Sequence, residues 1–140
     1  MVEIQVVYRG QLRCEAQHGP SGMSLTTDAP LDNKGRGEAF SPTDLLATAL
    51  GTCMLTVMGI RAREHQYPLQ GTRLSVKKHM SQSGPRRVAR LDVSIQVPHG
   101  GEIVEPVRRM LEEAAHTCPV RLSILEAIQV PVHFDWNALP

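Results

Sequence analysis

Hydrophobic positions are most concentrated between Ser41 and Ile60, in a pattern typical of one long helix. Ser41 is a favourable N-cap, Pro42 suits the first helical position, and Asp44 places a carboxylate in the first turn. A period of 3.6 residues puts an apolar row on one face: Leu46, Leu50, Cys53, Val57 and Ile60. The opposite side carries Ala, Gly and Met, so we expect a helix buried almost all round, centrally in its domain or against a partner.

A membrane span is the alternative interpretation of this stretch. The uncharged run from Leu45 to Ile60 is shorter than the ~20 residues that a span needs. Arg61, Arg63 and Glu64 follow it directly, and the sequence contains no second candidate. We therefore expect no membrane association.

Alternation with a period of two predicts strands on both sides of this helix. The predicted strands are Val2–Tyr8, Leu12–Gln17, Met23–Thr27, Thr72–Met80, Arg87–Val97 and Ile128–Phe134. In the last of them, Pro131 indicates an edge position, and Asp135–Pro140 is expected to be a tail. Helical patterns cover Glu102–Thr117 and Pro119–Glu126. The resulting order is βββ-α-ββ-α-α-β, and because strands and helices do not alternate one for one, the fold class is α+β.

The segment Asp28–Phe40 is the longest irregular stretch, and it leads straight into the long helix. Long loops within compact domains are often functional, whereas a mobile surface loop is the plainer interpretation. The sequence leaves both open.

Composition narrows the function classes without selecting one. The 140 residues are 41% hydrophobic and 21% charged, which fits a single globular domain spanning residues 1–140. A net charge of +1 gives no electrostatic case for nucleic acid. The N-terminal stretch lacks the pattern of a signal peptide, so we expect a cytoplasmic location. Three cysteines in such a compartment argue against a disulfide framework, and no Cys/His spacing matches a zinc site.

Two of the three cysteines occupy informative positions. Cys53 lies within the long helix, and Cys118 lies beside Pro119, where one predicted helix gives way to the next. A thiolate is stabilised at a helix N-terminus, but a single buried cysteine is more often inert packing. The residues alone therefore leave a reactive pair and a structural role open, and Cys14 is expected to be packing. His116, two residues from Cys118, either tunes that thiol or is an ordinary cation at a helix end.

Two segments resemble the signatures of the OsmC/Ohr superfamily. SPTDLLATALGTC, residues 41–53, is similar to the helix signature that ends in the first cysteine, and HTCPV, residues 116–120, resembles the signature around the second. The element order and the separation of the cysteines match as well, so the resemblance covers nearly the whole chain. It implies an intertwined homodimer in which two six-stranded sheets, rich in antiparallel pairs, wrap around central helices.

The resemblance also implies a chemistry, the thiol-dependent reduction of organic hydroperoxides in oxidative stress defence. Cys53 would be the peroxidatic cysteine, whose thiolate attacks the peroxide and becomes a sulfenic acid. Cys118 would resolve it as an intramolecular disulfide, and an external dithiol would reduce that disulfide. This chemistry implies no cofactor, whether metal, haem or flavin.

One departure from the family pattern bears on activity. The best peroxidases of the family carry a glutamate ten residues before the first cysteine, paired with an arginine that lowers the pKa of the thiol; this chain has Thr43 there. We expect Asp44 to cap the helix rather than to replace the glutamate. Arg36 is the first candidate for the activating arginine and Arg13 the second. The chain thus resembles the OsmC-like branch more than the Ohr branch, and a non-enzymatic dimer that senses redox state or binds a hydrophobic ligand is the alternative.

Overall fold

The computed structural model of the protein describes residues 1–139. Its strands are β1 (Ile4–Gly10), β2 (Arg13–His18), β3 (Ser24–Asp28), β4 (Arg73–Met80), β5 (Val88–Pro98) and β6 (Val132–Ala138). Its helices are α1 (Pro42–Glu64), α2 (Glu105–His116) and α3 (Pro119–Ser123). The predicted order βββ-α-ββ-α-α-β and the α+β class are confirmed. The residues cluster into two compact units, Met1–Leu46 and the chain from Ala47 onward, and the expectation of one domain stays a prediction.

The first unit contains a three-stranded antiparallel sheet in the order β1-β2-β3. Its register places Val6 opposite Ala16 and Ala16 opposite Leu25, so one face is apolar. Ile4, Val6 and Tyr8 on that face are 62%, 62% and 64% exposed. A sheet normally buries such a face, and nothing else in the first unit covers this one.

The loop between β3 and α1 is tied to the sheet of the first unit. The Asp28 carboxylate is fully buried and accepts hydrogen bonds from the Glu38 backbone N–H at 3.1 Å and from the Arg13 guanidinium at 3.4 Å. Gly35 passes so close to the backbone of Ala29 that an added Cβ would overlap the Ala29 carbonyl oxygen. These contacts order a segment whose sequence shows no period.

The start of α1 follows from a local cap. The Asp44 carboxylate accepts a hydrogen bond from the Ser41 N–H at 2.8 Å, and the Asp44 N–H donates to Ser41 Oγ at 3.1 Å. This is the reciprocal arrangement of a capping box, with aspartate in the place of glutamate. The expected capping role of Asp44 is confirmed.

The buried face of α1 differs from the predicted row, which was wrong in part. The buried side chains are Ala47, Leu50, Met54, Met58 and Ala62, whereas Ile60 is 48% exposed and Cys53 and Val57 are half-buried. The reason is Gly51, which lets the helix approach β4 closely; a Cβ there would lie 2.7 Å from Cδ2 of Leu74. The side of α1 with small and flexible residues therefore faces the sheet. The helix also runs to Glu64, beyond the predicted end.

The second unit contains a sheet in the order β4-β5-β6, with β4 and β5 antiparallel and β5 and β6 parallel. Side chains alternate along the central strand β5, and the buried set is Val88, Leu91, Val93, Ile95 and Val97. The predicted edge position of the last strand is confirmed, but its bounds were wrong. β6 begins only after Pro131, which has no N–H to donate to a sheet, and continues to Ala138 because Trp136 is buried. The predicted tail is thus strand as far as Ala138, and Pro140 lies outside the described residues.

Two helix bounds also differ from the predicted ones. Residues Gly100–Glu102 form a 3-10 turn, so α2 begins at Glu105, with Pro106 in its first turn. α3 ends at Ser123 rather than at Glu126.

By length and composition α1 is able to cross a membrane, and 33% of its most apolar stretch is buried within the chain. The core helix of a soluble protein passes the same test, so this one helix is weak support for a span. The expectation of no membrane association stays a prediction.

Candidate functional site

The second unit brings the two predicted site cysteines together. Cys53 comes from the middle of α1, and Cys118 comes from the joint between α2 and α3. The two thiols lie close enough for Cys53 to raise the pKa of the Cys118 thiol, and both are free thiols. Neighbouring thiols are what an intramolecular disulfide requires.

The joint that carries Cys118 has a local origin in Pro119. The residue before a proline favours extended backbone, and Cys118 adopts φ −64° and ψ 148°. Pro119 then begins α3, where its missing N–H removes no hydrogen bond. The turn is closed by Thr117 N–H donating to the Glu113 carbonyl at 2.9 Å and Leu122 N–H donating to the Cys118 carbonyl at 3.1 Å.

The two thiols differ in their access to solvent. Cys118 is fully buried at 0% exposure, whereas Cys53 is half-buried. Because a reactive thiol must meet its substrate, an external oxidant reaches Cys53 before it reaches Cys118.

The fold disfavours ionisation of the Cys118 thiol. Burial raises the pKa of the Cys118 thiol; backbone hydrogen bonds at Arg121 and Val120 oppose this, and the neighbouring Cys53 adds to the rise. Cys118 is therefore a neutral thiol near pH 7, and a neutral thiol is a poor nucleophile toward a peroxide. Its burial and its raised pKa both make it unsuited to the first step of a two-cysteine reaction.

The two candidate arginines belong to the first unit, whereas both cysteines belong to the second. Arg36 donates a hydrogen bond to the Gln11 side-chain oxygen at 2.7 Å. Arg13 forms ion pairs with Asp28 at 3.4 Å and with Glu38. Which arginine serves the thiol stays a prediction.

Sequence reasoning missed Asp28 and Glu38 as partners of Arg13. The pKa of Asp28 lies below its ordinary value, because the Glu38 backbone N–H donates to its carboxylate; burial opposes this effect and Arg13 reinforces it. No spacing in the sequence signals this cluster, since Glu38 lies in a loop without a period. The only hint in the sequence is the length of the irregular segment Asp28–Phe40, since long loops are often functional.

The remaining candidates show no comparable arrangement. Cys14 is half-buried on β2, opposite Tyr8 and Thr27, in keeping with its expected packing role. His116 ends α2, with its ring edge-on to Phe134 at a centroid distance of 6.1 Å. Within residues 1–139, no group of three or more His, Cys, Asp or Glu side chains is placed to hold a metal ion.

Comparison with known proteins places the chain in a family. The family described as OsmC-like protein matches residues 35–133. The chain belongs to the OsmC-like family. Its fold is similar to that of a predicted osmotic stress induced and detoxification response protein from Psychrobacter arcticus, with 42% identity, 96% of each chain covered and a TM-score of 0.89. No curated protein matched.

Two more distant structures share the OsmC-like fold. One is the organic hydroperoxide resistance protein OsmC from Legionella pneumophila, with 15% identity, 96% of each chain covered and a TM-score of 0.72. The other is an organic hydroperoxide resistance protein from Elizabethkingia anophelis, with 15% identity, 99% of this chain and 96% of the other covered, and a TM-score of 0.77. At such identities the likeness concerns the fold.

The departure from the OsmC/Ohr helix signature has a structural setting in this OsmC-like chain. Thr43 Oγ1 lies 3.1 Å from Ser41 Oγ, beside the cap of α1. A hydroxyl at this position carries no charge with which to hold an arginine. An arginine that activates the thiol would therefore have no acidic partner at position 43.

Proposed function

We propose that this OsmC-like protein is a thiol-dependent peroxidase that reduces organic hydroperoxides. The observation that carries the proposal is the proximity of a half-buried Cys53 to a fully buried Cys118. Family membership and the organic hydroperoxide resistance proteins among the similar structures support a peroxidase-type role.

The proposed first step takes place at Cys53. Its thiolate attacks the terminal oxygen of the hydroperoxide, so an S–O bond forms while the O–O bond breaks. The alkoxide takes up a proton and leaves as an alcohol, and Cys53 becomes a sulfenic acid. The sulfur is oxidised by two electrons and the peroxide is reduced by two.

The proposed second step closes the disulfide. Cys118 loses its proton and attacks the Cys53 sulfur, so an S–S bond forms while the S–O bond breaks, and the oxygen leaves as water. An external dithiol then attacks the disulfide and is itself oxidised as both cysteines return to thiols. No other co-reactant is needed to balance the cycle.

The proposed assembly is a homodimer. The apolar face of β1, with Ile4, Val6 and Tyr8 each more than 60% exposed, supports this assembly. Exposed apolar patches of this kind mark surfaces that another chain covers.

A non-enzymatic role on the same fold is the second candidate, and Thr43 is the observation that favours it. Without a glutamate at that position, the activation expected of the best peroxidases is incomplete. This candidate predicts a Cys53–Cys118 disulfide that forms slowly and does not cycle, or a saturable hydrophobic ligand.

The proposed function is tested by steady-state turnover of cumene hydroperoxide with dithiothreitol as the external dithiol. We expect Cys53→Ser to abolish turnover, and Cys118→Ser to reduce it because the sulfenic acid lacks its internal partner. Cys14→Ser is the matched control and should leave turnover unchanged. Turnover that survives Cys53→Ser would overturn the proposal, and slow oxidation without cycling in the unaltered protein would favour the second candidate.

The same assay separates the two candidate arginines. Arg36→Lys and Arg13→Lys each keep a positive charge but lose the planar guanidinium. The arginine that activates Cys53 should show reduced kcat/KM in its variant and slower alkylation of Cys53 at pH 7. The other variant should match the unaltered protein.

A further inference from the structure

A line of aromatic and polar contacts joins α2 to β6 in the second unit. The Trp136 indole N–H donates to the Glu112 carboxylate at 2.9 Å, and the Arg108 guanidinium lies 5.8 Å from the Trp136 ring. Phe134 stacks on Trp136 with a centroid distance of 5.9 Å and an interplanar angle of 7°, and His116 meets Phe134 edge-on at 6.1 Å.

These contacts run along matching faces of the two elements. Arg108, Glu112 and His116 are four residues apart, which places them on one face of a helix. Phe134 and Trp136 are two residues apart, which places them on one face of a strand. We call the five side chains the α2–β6 clamp.

The clamp ends at the residue from which the Cys118 turn begins. His116 is the last residue of α2, and Cys118 follows after Thr117. Phe134, on the other side of the contact, lies on β6 opposite Ile95 of the central strand, whose side chain is fully buried. The ring contact therefore joins the C-terminal end of α2, where helices in general fray, to the buried central part of the sheet.

A disulfide-forming step is sensitive to such positioning. Two cysteines bridge only over a narrow range of backbone separations, and a misplacement of about 1 Å costs up to ~100-fold in the rate of a well-oriented reaction. Cys53 lies in the long helix α1, whereas Cys118 lies in a short turn between two helices. Of the two partners, Cys118 is the one whose position depends on a helix end.

We propose that His116 and Phe134 are positioning residues that hold Cys118 beside Cys53. The inference rests on the proposed function for its use in catalysis, but the positioning itself is measurable without a peroxide. Neither side chain takes part in bond making. Their effect acts through the closure step and leaves the first oxidation of Cys53 unchanged.

The first experiment measures the effective concentration of the thiol pair by equilibration with reduced and oxidised glutathione. Phe134→Leu removes the ring, and we expect the effective concentration to fall roughly tenfold. Phe40→Leu is the matched control, since Phe40 is 57% exposed in the first unit, and it should leave the value unchanged. An effect of equal size in both variants, or no effect in either, would overturn the inference.

A second pair of variants keeps the inference falsifiable if Phe134→Leu does not fold. His116 is exposed, so His116→Ala should fold, and it removes the ring from the α2 side. We expect a fall of similar size in His116→Ala and its restoration in His116→Phe, which brings back a ring that cannot titrate. Failure of His116→Phe to restore the value would assign the effect to the imidazole proton and contradict a positioning role.

Stopped-flow oxidation by cumene hydroperoxide then separates the two steps. The second-order rate constant for oxidation of Cys53 should be unchanged in the clamp variants. Formation of the disulfide, whose rate does not depend on the peroxide concentration, should slow roughly tenfold. Equal slowing of both steps would indicate general destabilisation and refute positioning. If the unaltered protein equilibrates with glutathione but does not react with the peroxide, the proposed function fails while the positioning result stands.

Discussion

Replacement of Gly51 by alanine tests whether close approach between α1 and β4 sets the position of the cysteine helix. An ideal Cβ at residue 51 would lie 2.7 Å from Cδ2 of Leu74 and 3.3 Å from Cγ2 of Val76. Both distances are shorter than the ~3.5–4.0 Å at which carbon atoms attract each other. The helix must therefore move, or the side chains of β4 must.

Two opposing effects decide how much Gly51→Ala changes the free energy of unfolding. Overpacking of a closely packed contact costs about 1–3 kcal/mol, and the higher helix propensity of alanine returns about 1 kcal/mol. The nearest atom is the end of a flexible leucine, which favours the lower part of the range, but Val76 is branched at Cβ and yields less. We expect Gly51→Ala to reduce the free energy of unfolding by roughly 1 kcal/mol.

Urea denaturation of a double-mutant cycle with Leu74→Ala isolates the contact, provided that all proteins are compared at one concentration. Once the leucine is removed, the same Gly51→Ala change should become neutral or should stabilise by up to about 1 kcal/mol through helix propensity. The expected coupling free energy is about 1–2 kcal/mol. A Gly51→Ala change that stabilises equally in both backgrounds would refute the close approach.

Two further predictions concern pH. The raised pKa of Cys118 predicts that disulfide closure after Cys53 oxidation accelerates by about tenfold per pH unit over roughly pH 7 to 9; stopped-flow measurement of a flat profile would contradict it. Because the pKa of Asp28 is lowered in the folded state, its carboxylate contributes to stability at pH values above the pKa that it has in the unfolded chain. That contribution is lost as the pH falls through the lower pKa of the folded state. Asp28→Asn should therefore lower the urea midpoint of unfolding at pH 7, and the midpoint of this variant should decrease less than that of the unaltered protein below about pH 4. Asp32→Asn, at an exposed position, is the control.

The elements with local signals were predictable from the sequence. The start of α1 depends on Ser41 and Asp44, three residues apart, whose reciprocal hydrogen bonds need no distant contact. The joint at Cys118 depends on the following Pro119, which imposes extended backbone on its neighbour. The strands before and after α1 followed from alternation alone.

The features that depend on distant contacts were not predictable. Because α1 is apolar on nearly all sides, its helical period does not indicate which face is buried. Packing against β4 buries the side with Met54 and leaves Ile60 exposed. The extension of β6 through Trp136 depends on packing against α2, which a strand pattern interrupted by Pro131 does not reveal. The pairing of Arg13 with Glu38 depends on the path of a loop without a period.

The Cys53–Cys118 pair is tested most directly by titrating the fully reduced protein with cumene hydroperoxide and mapping the products by peptide mass spectrometry. We expect rapid formation of one Cys53–Cys118 disulfide per chain at one equivalent of peroxide, with Cys14 left as a free thiol. Free thiols after a large excess of peroxide, or oxidation spread over all three cysteines, would contradict it.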